Sequence, residues 1–82
     1  MAGSGAHLTL TLTVDGLAAD PQGREKVERT LAAAEGIRRV YVSACIETVY
    51  VAYDPRVTGP VQVVAALARA GVRVDDLKVT QA

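Results

Sequence analysis

The chain has 82 residues, half of them apolar, and its nine basic residues balance nine acidic residues. A chain of this length forms one domain with a modest core, which leaves little room for a deep active site. The balanced charge argues against nucleic acid and anionic membranes as partners, and no apolar run approaches the ~20 residues that cross a bilayer. We therefore expect neither nucleic-acid binding nor membrane insertion.

Cysteine usage and the N-terminal residues predict the compartment and the domain bounds. Cys45 is the single cysteine, so no disulfide forms within the chain, and the opening letters MAGSGA lack the features of a secretory signal. We expect a cytoplasmic protein with a flexible lead-in over residues 1–6 and a single domain over residues 7–80.

The domain begins with a predicted strand and a predicted helix. Residues 8–14 alternate leucine or valine with threonine, the period-two pattern of a strand with one buried face. Gly16 ends this strand, and Asp20 followed by Pro21 predicts the N-cap and first turn of a helix over residues 21–35. The predicted buried stripe of this helix consists of Val27, Leu31 and Ala34.

The rest of the chain predicts two strands, a helix and a last strand. The strands cover residues 37–43 and 49–53, and a hairpin within the letters SACIET joins them. The last strand covers residues 72–79, with an interruption at two adjacent aspartates. A helix over residues 60–70 precedes it, and the predicted apolar stripe of that helix is Val61, Val64, Leu67 and Ala68.

This order of elements, βαββαβ, predicts the fold class. Two strand–helix–strand units packed side by side give an α+β ferredoxin-like plait, in which two helices cover one face of a four-stranded antiparallel sheet. Right-handed crossovers then give the strand order 4-1-3-2, so that the second and fourth strands form the edges.

Several segments, in this order and spacing, resemble the heavy-metal-associated domain of copper chaperones, copper-transporting ATPases and mercury-binding proteins. The segments are LTVDG, VERTL, EGIRRVYV, VYVAYDP and ALARAGVRV. The family's ligand loop reads G-M-T-C-x-x-C, and its glycine corresponds to Gly16. Its two cysteines correspond to Ala19 and Gln22, which supply neither of the soft thiolates that suit Cu(I). The resemblance therefore implies the fold, with a degenerate CxxC motif.

Other metal-type side chains form no obvious replacement site. The topology brings Asp15, Asp20, Cys45 and Glu47 to one end of the domain, whereas His7 lies at the opposite end of the first strand. We expect no resident cofactor and no enzymatic activity, because no paired carboxylates or Cys–His pair is spaced for catalysis. The alternative is a trafficking protein that binds Cu(I) or another soft metal at Cys45, shared between two chains.

The outer face of the predicted sheet suggests a different role. Strand alternation places Thr11, Arg39, Tyr41 and Tyr50 on the face that the helices do not cover. Tyrosine and arginine are enriched in the cores of protein interfaces, although threonine and tyrosine also favour strands for local reasons. We interpret the protein as a non-enzymatic adaptor that binds a protein partner, or a second copy, through this face or an edge. Leu17 is a further predicted contact.

Overall fold

The structure is a computed structural model that describes residues 8–81. His7 and the predicted lead-in over residues 1–6 lie outside the described residues. The four strands are β1 (Leu8–Val14), β2 (Ile37–Ser43), β3 (Thr48–Tyr53) and β4 (Val74–Gln81). The two α-helices are α1 (Gly23–Ala32) and α2 (Pro60–Arg69), and one-turn 3₁₀ helices cover Leu17–Ala19 and Ala44–Ile46. Neither α-helix in this part of the chain is long and apolar enough to cross a membrane.

The sheet has the predicted topology. Its strand order is β2-β3-β1-β4, and each neighbouring pair of strands is antiparallel. Both helices cover the face that carries the buried side chains of the strands. The prediction of an α+β ferredoxin-like plait with β2 and β4 at its edges is therefore confirmed.

The core lies between the sheet and the helices and is built from branched aliphatic side chains and Tyr53. The alternation of β1 is confirmed, because Leu10 and Leu12 are fully buried. From the helices, the core receives Val27, Leu31, Val63 and Leu67. Two such residues four positions apart lie on the same face of each helix, so each helix presents one stripe to the sheet.

The predicted stripe of α2 is partly wrong. Val61 is 78% exposed and Ala68 is also exposed, whereas Val63 is buried. The helix sequence PVQVVAALAR is apolar almost all round, so hydrophobic spacing alone does not select the face that packs on the sheet. The stripe of α1 is confirmed at its first two positions, but Ala34 follows the end of the helix and is half-buried.

The prediction for the last strand also needs correction. β4 runs without a break through Asp75 and Asp76, because an irregularity in its pairing with β1 accommodates the extra residue. Leu77 lies opposite Leu12 on the helix-facing side, yet it remains 43% exposed. The edge position of β4 explains this exposure, since no further strand covers its outer side.

An acidic residue, Asp54, directly follows β3 and bonds to neighbouring segments of the chain. Asp54 is buried, and its backbone N–H donates to the carbonyl of Gly36 at 2.9 Å. The backbone N–H of Arg56 donates to Asp54 Oδ1 at 2.9 Å, and the Arg56 guanidinium also bonds the carboxylate. Arg38 Nη2 lies 3.8 Å from Asp54 Oδ2. These groups, the backbone donor above all, hold the pKa of Asp54 below its ordinary value.

Candidate functional site

The segment that resembles the ligand loop, here called the 15–22 loop, keeps a defined backbone. Gly16 has a φ of 79°, a left-handed conformation that glycine adopts without strain, and a single 3₁₀ turn follows it. The Leu17 side chain is 2% exposed and belongs to the core. The prediction that Leu17 is a contact for a partner is therefore wrong, because its side chain anchors the loop from inside.

The start of α1 differs from the prediction. Asp20 Oδ1 accepts a hydrogen bond from the backbone N–H of Gln22 at 3.0 Å, but the helix begins at Gly23 with Gln22 as its N-cap residue. Asp20 therefore stabilises the turn before the helix instead of capping the helix itself. Residues 21 and 22, predicted as the first helical residues, form a turn that precedes α1.

Glu47 joins the 15–22 loop to the β2–β3 hairpin. Its carboxylate Oε2 accepts a hydrogen bond from the backbone N–H of Ala18 at 3.0 Å, and its carbonyl accepts one from the N–H of Val14 at 2.9 Å. Glu47 has a left-handed φ of 53°, unusual for a residue with a side chain. The N–H of Asp15 also donates to the carbonyl of Arg73 at 3.1 Å. Three connections therefore meet at this end of the domain, as the topology predicted.

The donor atoms at this end do not fit a soft metal ion. The positions that correspond to the family's cysteines carry the methyl group of Ala19 and the amide of Gln22, and both residues are exposed. Cys45 is exposed on the neighbouring 3₁₀ turn. Across residues 8–81, no three histidine, cysteine, aspartate or glutamate side chains are grouped to hold a metal ion. Cu(I) prefers sulfur ligands, and one thiol does not make a site within the chain.

Two tyrosines lie side by side on the outer face of the sheet. Tyr41 of β2 is directly opposite Tyr50 of β3, which is in turn opposite Thr11 of β1. The two rings are stacked, with centroids 6.0 Å apart and an interplanar angle of 29°. Tyr41 is 62% exposed and Tyr50 is half-buried. Lys78 of β4 completes this row opposite Thr11, so the row crosses all four strands.

Arg39 lies on the same face, next to the tyrosines along β2. It is exposed and lies opposite Ala52 of β3. Among the described residues Arg39 makes no ion pair, whereas its neighbour Arg38 is paired with Asp54. The structure therefore brings together four of the predicted interaction residues, Thr11, Arg39, Tyr41 and Tyr50, on one surface, which we call the tyrosine face.

Solved structures share this fold over most of the chain. Oxidized MerP from Ralstonia metallidurans CH34 has a TM-score of 0.77 at 26% identity, covering 87% of this chain and all of the MerP chain. A candidate copper-ion-binding protein from Bacillus anthracis has a TM-score of 0.78 at 28% identity, covering 88% of this chain and all of that protein. The N-terminal domain of PacS from Synechocystis PCC6803 has a TM-score of 0.62 at 26% identity, covering 83% of this chain and 97% of that domain. No protein-family model and no curated protein matches the chain.

These similarities define the class of protein. The molecule is a small α+β domain with the ferredoxin-like plait, and its structural neighbours are domains of the heavy-metal-associated type. The heavy-metal-associated-like fold that the sequence resemblance implied is thus confirmed. The 15–22 loop follows the expected path between β1 and α1 but lacks the family's two thiols.

Proposed function

We propose that the protein is a non-enzymatic binding module that docks on another protein through the tyrosine face. The observation that carries the proposal is the stacked, solvent-accessible pair of Tyr41 and Tyr50 on a sheet face without helices. Tyrosines at such positions supply a large contact area at a low cost in side-chain entropy, and they dominate the energetics of many interfaces.

The charge next to the tyrosines indicates the chemistry of the partner. Arg39 is exposed and has no carboxylate partner among residues 8–81. A docked surface that presents an aspartate or glutamate beside apolar side chains would pair with the Arg39 guanidinium while it covers the two rings. Arginine binds carboxylates through two parallel hydrogen bonds, which gives such a contact both strength and orientation.

The family resemblance suggests which partners to test first. Heavy-metal-associated domains of chaperones and transport ATPases are the natural candidates, because a domain of the same shape without the two loop thiols could occupy a docking surface without delivering metal. The geometry of the donor set supports this part of the proposal, since Ala19 and Gln22 offer no soft ligand. The protein would then act as a metal-free adaptor.

A quantitative binding experiment tests the proposal. Purified candidate domains are titrated against the protein and against a Tyr41→Ala, Tyr50→Ala variant, with Val61→Ala as the control because Val61 is exposed on α2, which lies on the other side of the sheet. Removing two interface tyrosines should weaken binding by roughly tenfold or more, while the control binds like the parent protein. Equal affinity for parent and double variant would show that the tyrosine face is not the docking surface.

A second candidate function is metal binding through Cys45 of two chains. The observation that favours it is an exposed thiol on the 3₁₀ turn beside the 15–22 loop. Two such thiolates from neighbouring chains could hold one Cu(I) ion as cargo. A Cu(I) competition titration of the reduced protein against a Cys45→Ser variant decides the matter, because this function requires tighter binding by the parent protein, with one Cu(I) ion for two chains.

A further inference from the structure

We propose that β4 is a self-complementary edge through which two copies of the chain pair, antiparallel and centred on Leu77. The proposal concerns the edge of the sheet, whereas the proposed function concerns Tyr41 and Tyr50 of β2 and β3 on its outer face. Neither depends on the other, so each can fail separately.

The backbone of β4 offers the hydrogen-bonding groups that such a pairing needs. The N–H of Leu77 donates to Oδ1 of Asp76, its own neighbour in the chain, at 2.9 Å. This N–H therefore points away from β1, towards the open side of the sheet. Since backbone groups alternate in direction along a regularly paired strand, those of Val79 point to the same open side. In a pair with a second β4, the N–H of Leu77 could donate to a backbone carbonyl of that strand instead of to Asp76.

The charges on β4 select one register for the pairing. When Leu77 lies opposite Leu77 of the second copy, Asp76 lies opposite the second copy's Lys78, and Lys78 lies opposite the second copy's Asp76. Opposite charges that face each other across two strands are stabilising, and like charges are destabilising. The two neighbouring registers that keep the same faces aligned place aspartate against aspartate, or lysine against lysine. The letters D-L-K are thus complementary to themselves only in the register centred on Leu77.

Apolar side chains favour the same arrangement. Leu77 and Val79 face the helix side of the sheet, opposite the buried Leu12 and Leu10, yet each remains 43% exposed. In the proposed pair the two Leu77 side chains meet at the symmetry axis and cover part of this apolar surface. The pairing is isologous and closes on itself, so it gives a dimer and not a fibre.

Charges on an edge strand often prevent pairing, and this simpler interpretation makes different predictions. Charges that guard an edge oppose association in every register. On β4, Asp76 and Lys78 carry opposite charges and are both exposed on the outer face, in register with Thr13 and Thr11 of β1. A guarding role predicts that removing either charge promotes association, whereas the proposed pairing predicts that it weakens association.

Charge reversal combined with sedimentation equilibrium tests the pairing. The parent protein should show a concentration-dependent dimer, and Asp76→Lys or Lys78→Asp alone should raise the dimer dissociation constant by roughly tenfold or more, because two opposite-charge pairs become like-charge pairs. The double variant Asp76→Lys, Lys78→Asp should dimerise like the parent. Lys26→Asp on α1 changes the net charge as Lys78→Asp does, so it is the matched control for that variant and should leave the dimer unchanged.

Mixing the two single variants gives the sharpest result. Lys78→Asp carries acids at both positions 76 and 78, and Asp76→Lys carries bases at both. The two variants should form a heterodimer, although neither forms a homodimer at the same concentration. Circular dichroism of each variant shows that it is folded before the comparison is made. A parent protein that stays monomeric at about 1 mM, where even weak contacts populate a dimer, overturns the proposal. Single variants that dimerise like the parent, or a mixture that does not associate, overturn it equally.

Discussion

Glu47 links the 15–22 loop to the β2–β3 hairpin, and we predict that removing its side chain loosens the loop while the domain stays folded. The carboxylate accepts the N–H of Ala18 at 3.0 Å, a contact between residues 29 positions apart. The second bond of Glu47, from the N–H of Val14 to its carbonyl, uses only the backbone and survives substitution. The perturbation therefore removes one hydrogen bond and leaves the hairpin in place.

The magnitude follows from two opposing terms. A hydrogen bond to a charged acceptor at an exposed position contributes about 1 kcal/mol to the free energy of unfolding. The left-handed φ of 53° at Glu47 costs a residue with a side chain about 1 kcal/mol, a cost that glycine does not incur. Glu47→Ala loses the bond and keeps the strain, so it should destabilise the protein by about 1 kcal/mol. Glu47→Gly loses the bond but also relieves the strain, and the two effects nearly cancel. Its free energy of unfolding should therefore stay within about 0.5 kcal/mol of the parent.

Thermal unfolding and amide hydrogen exchange provide the assay. For a domain of this size, about 1 kcal/mol corresponds to a fall in melting temperature of roughly 4–8 °C. The Ala18 amide should exchange about fivefold faster in both Glu47→Ala and Glu47→Gly, because each removes its acceptor. Glu47→Gln keeps an acceptor oxygen and serves as the control. A Glu47→Gly variant less stable than Glu47→Ala, or an unchanged exchange rate at Ala18, would refute the reasoning.

Two further predictions concern Asp54, at the opposite end of the domain, and the two glycines Gly36 and Gly71. Since the pKa of Asp54 is lowered in the folded protein, ionised Asp54 stabilises the fold, fully above about pH 4 and progressively less as the pH falls through its folded-state pKa. Asp54→Asn should therefore flatten the acid limb of the stability–pH curve, and an unchanged limb would contradict the assignment. Gly36→Ala should lower the free energy of unfolding more than Gly71→Ala does. Both glycines have φ near +85°, but of the two only Gly36 lies where a Cβ would meet side chains, 2.9 Å from Val57 and Thr58. Thermal unfolding of both variants measures the difference, expected to be about 1 kcal/mol or more, and equal losses would show that backbone strain alone acts at Gly36.

The sequence was sufficient for the elements that a regular pattern encodes. The alternation of leucine and threonine in β1 and the bounds of β2 agree with the structure, because one buried face imposes a period of two. The sheet order followed from the handedness of the crossovers. These features depend on local sequence and general packing rules, so they need no knowledge of particular contacts.

The features that the sequence did not predict depend on contacts between distant segments. Leu17 is buried because the 15–22 loop folds back on the core, whereas its place in the segment that resembles the ligand loop suggested an exposed contact. The bond between Glu47 and Ala18 joins two exposed loops and leaves no periodic signal. The face of α2 was ambiguous because valine and alanine occupy most of its surface, and the sheet, not the helix sequence, decides that Val63 is buried.

For the tyrosine face, the sequence predicts where the two tyrosines lie but does not establish what they do. Alternation along β2 and β3 was enough to predict that Tyr41 and Tyr50 share a face, and the structure adds that their rings stack. Their role in docking stays a prediction, because a stacked pair on a sheet also stabilises the sheet itself. The binding experiment with the double alanine variant separates these roles, since loss of stability and loss of affinity are measured independently.

The central claim is that the domain keeps the shape of a heavy-metal-associated domain while its loop lacks the ligands for copper. A Cu(I) competition titration of the reduced protein tests it most directly, with three samples: the parent, Cys45→Ser, and Ala19→Cys, Gln22→Cys in the Cys45→Ser background. The parent should bind no tighter than Cys45→Ser, and the double-cysteine variant should bind at least about a thousandfold tighter, because two thiolates then lie in the 15–22 loop just before α1. Tight binding by Cys45→Ser, or no gain from the two cysteines, would contradict the account.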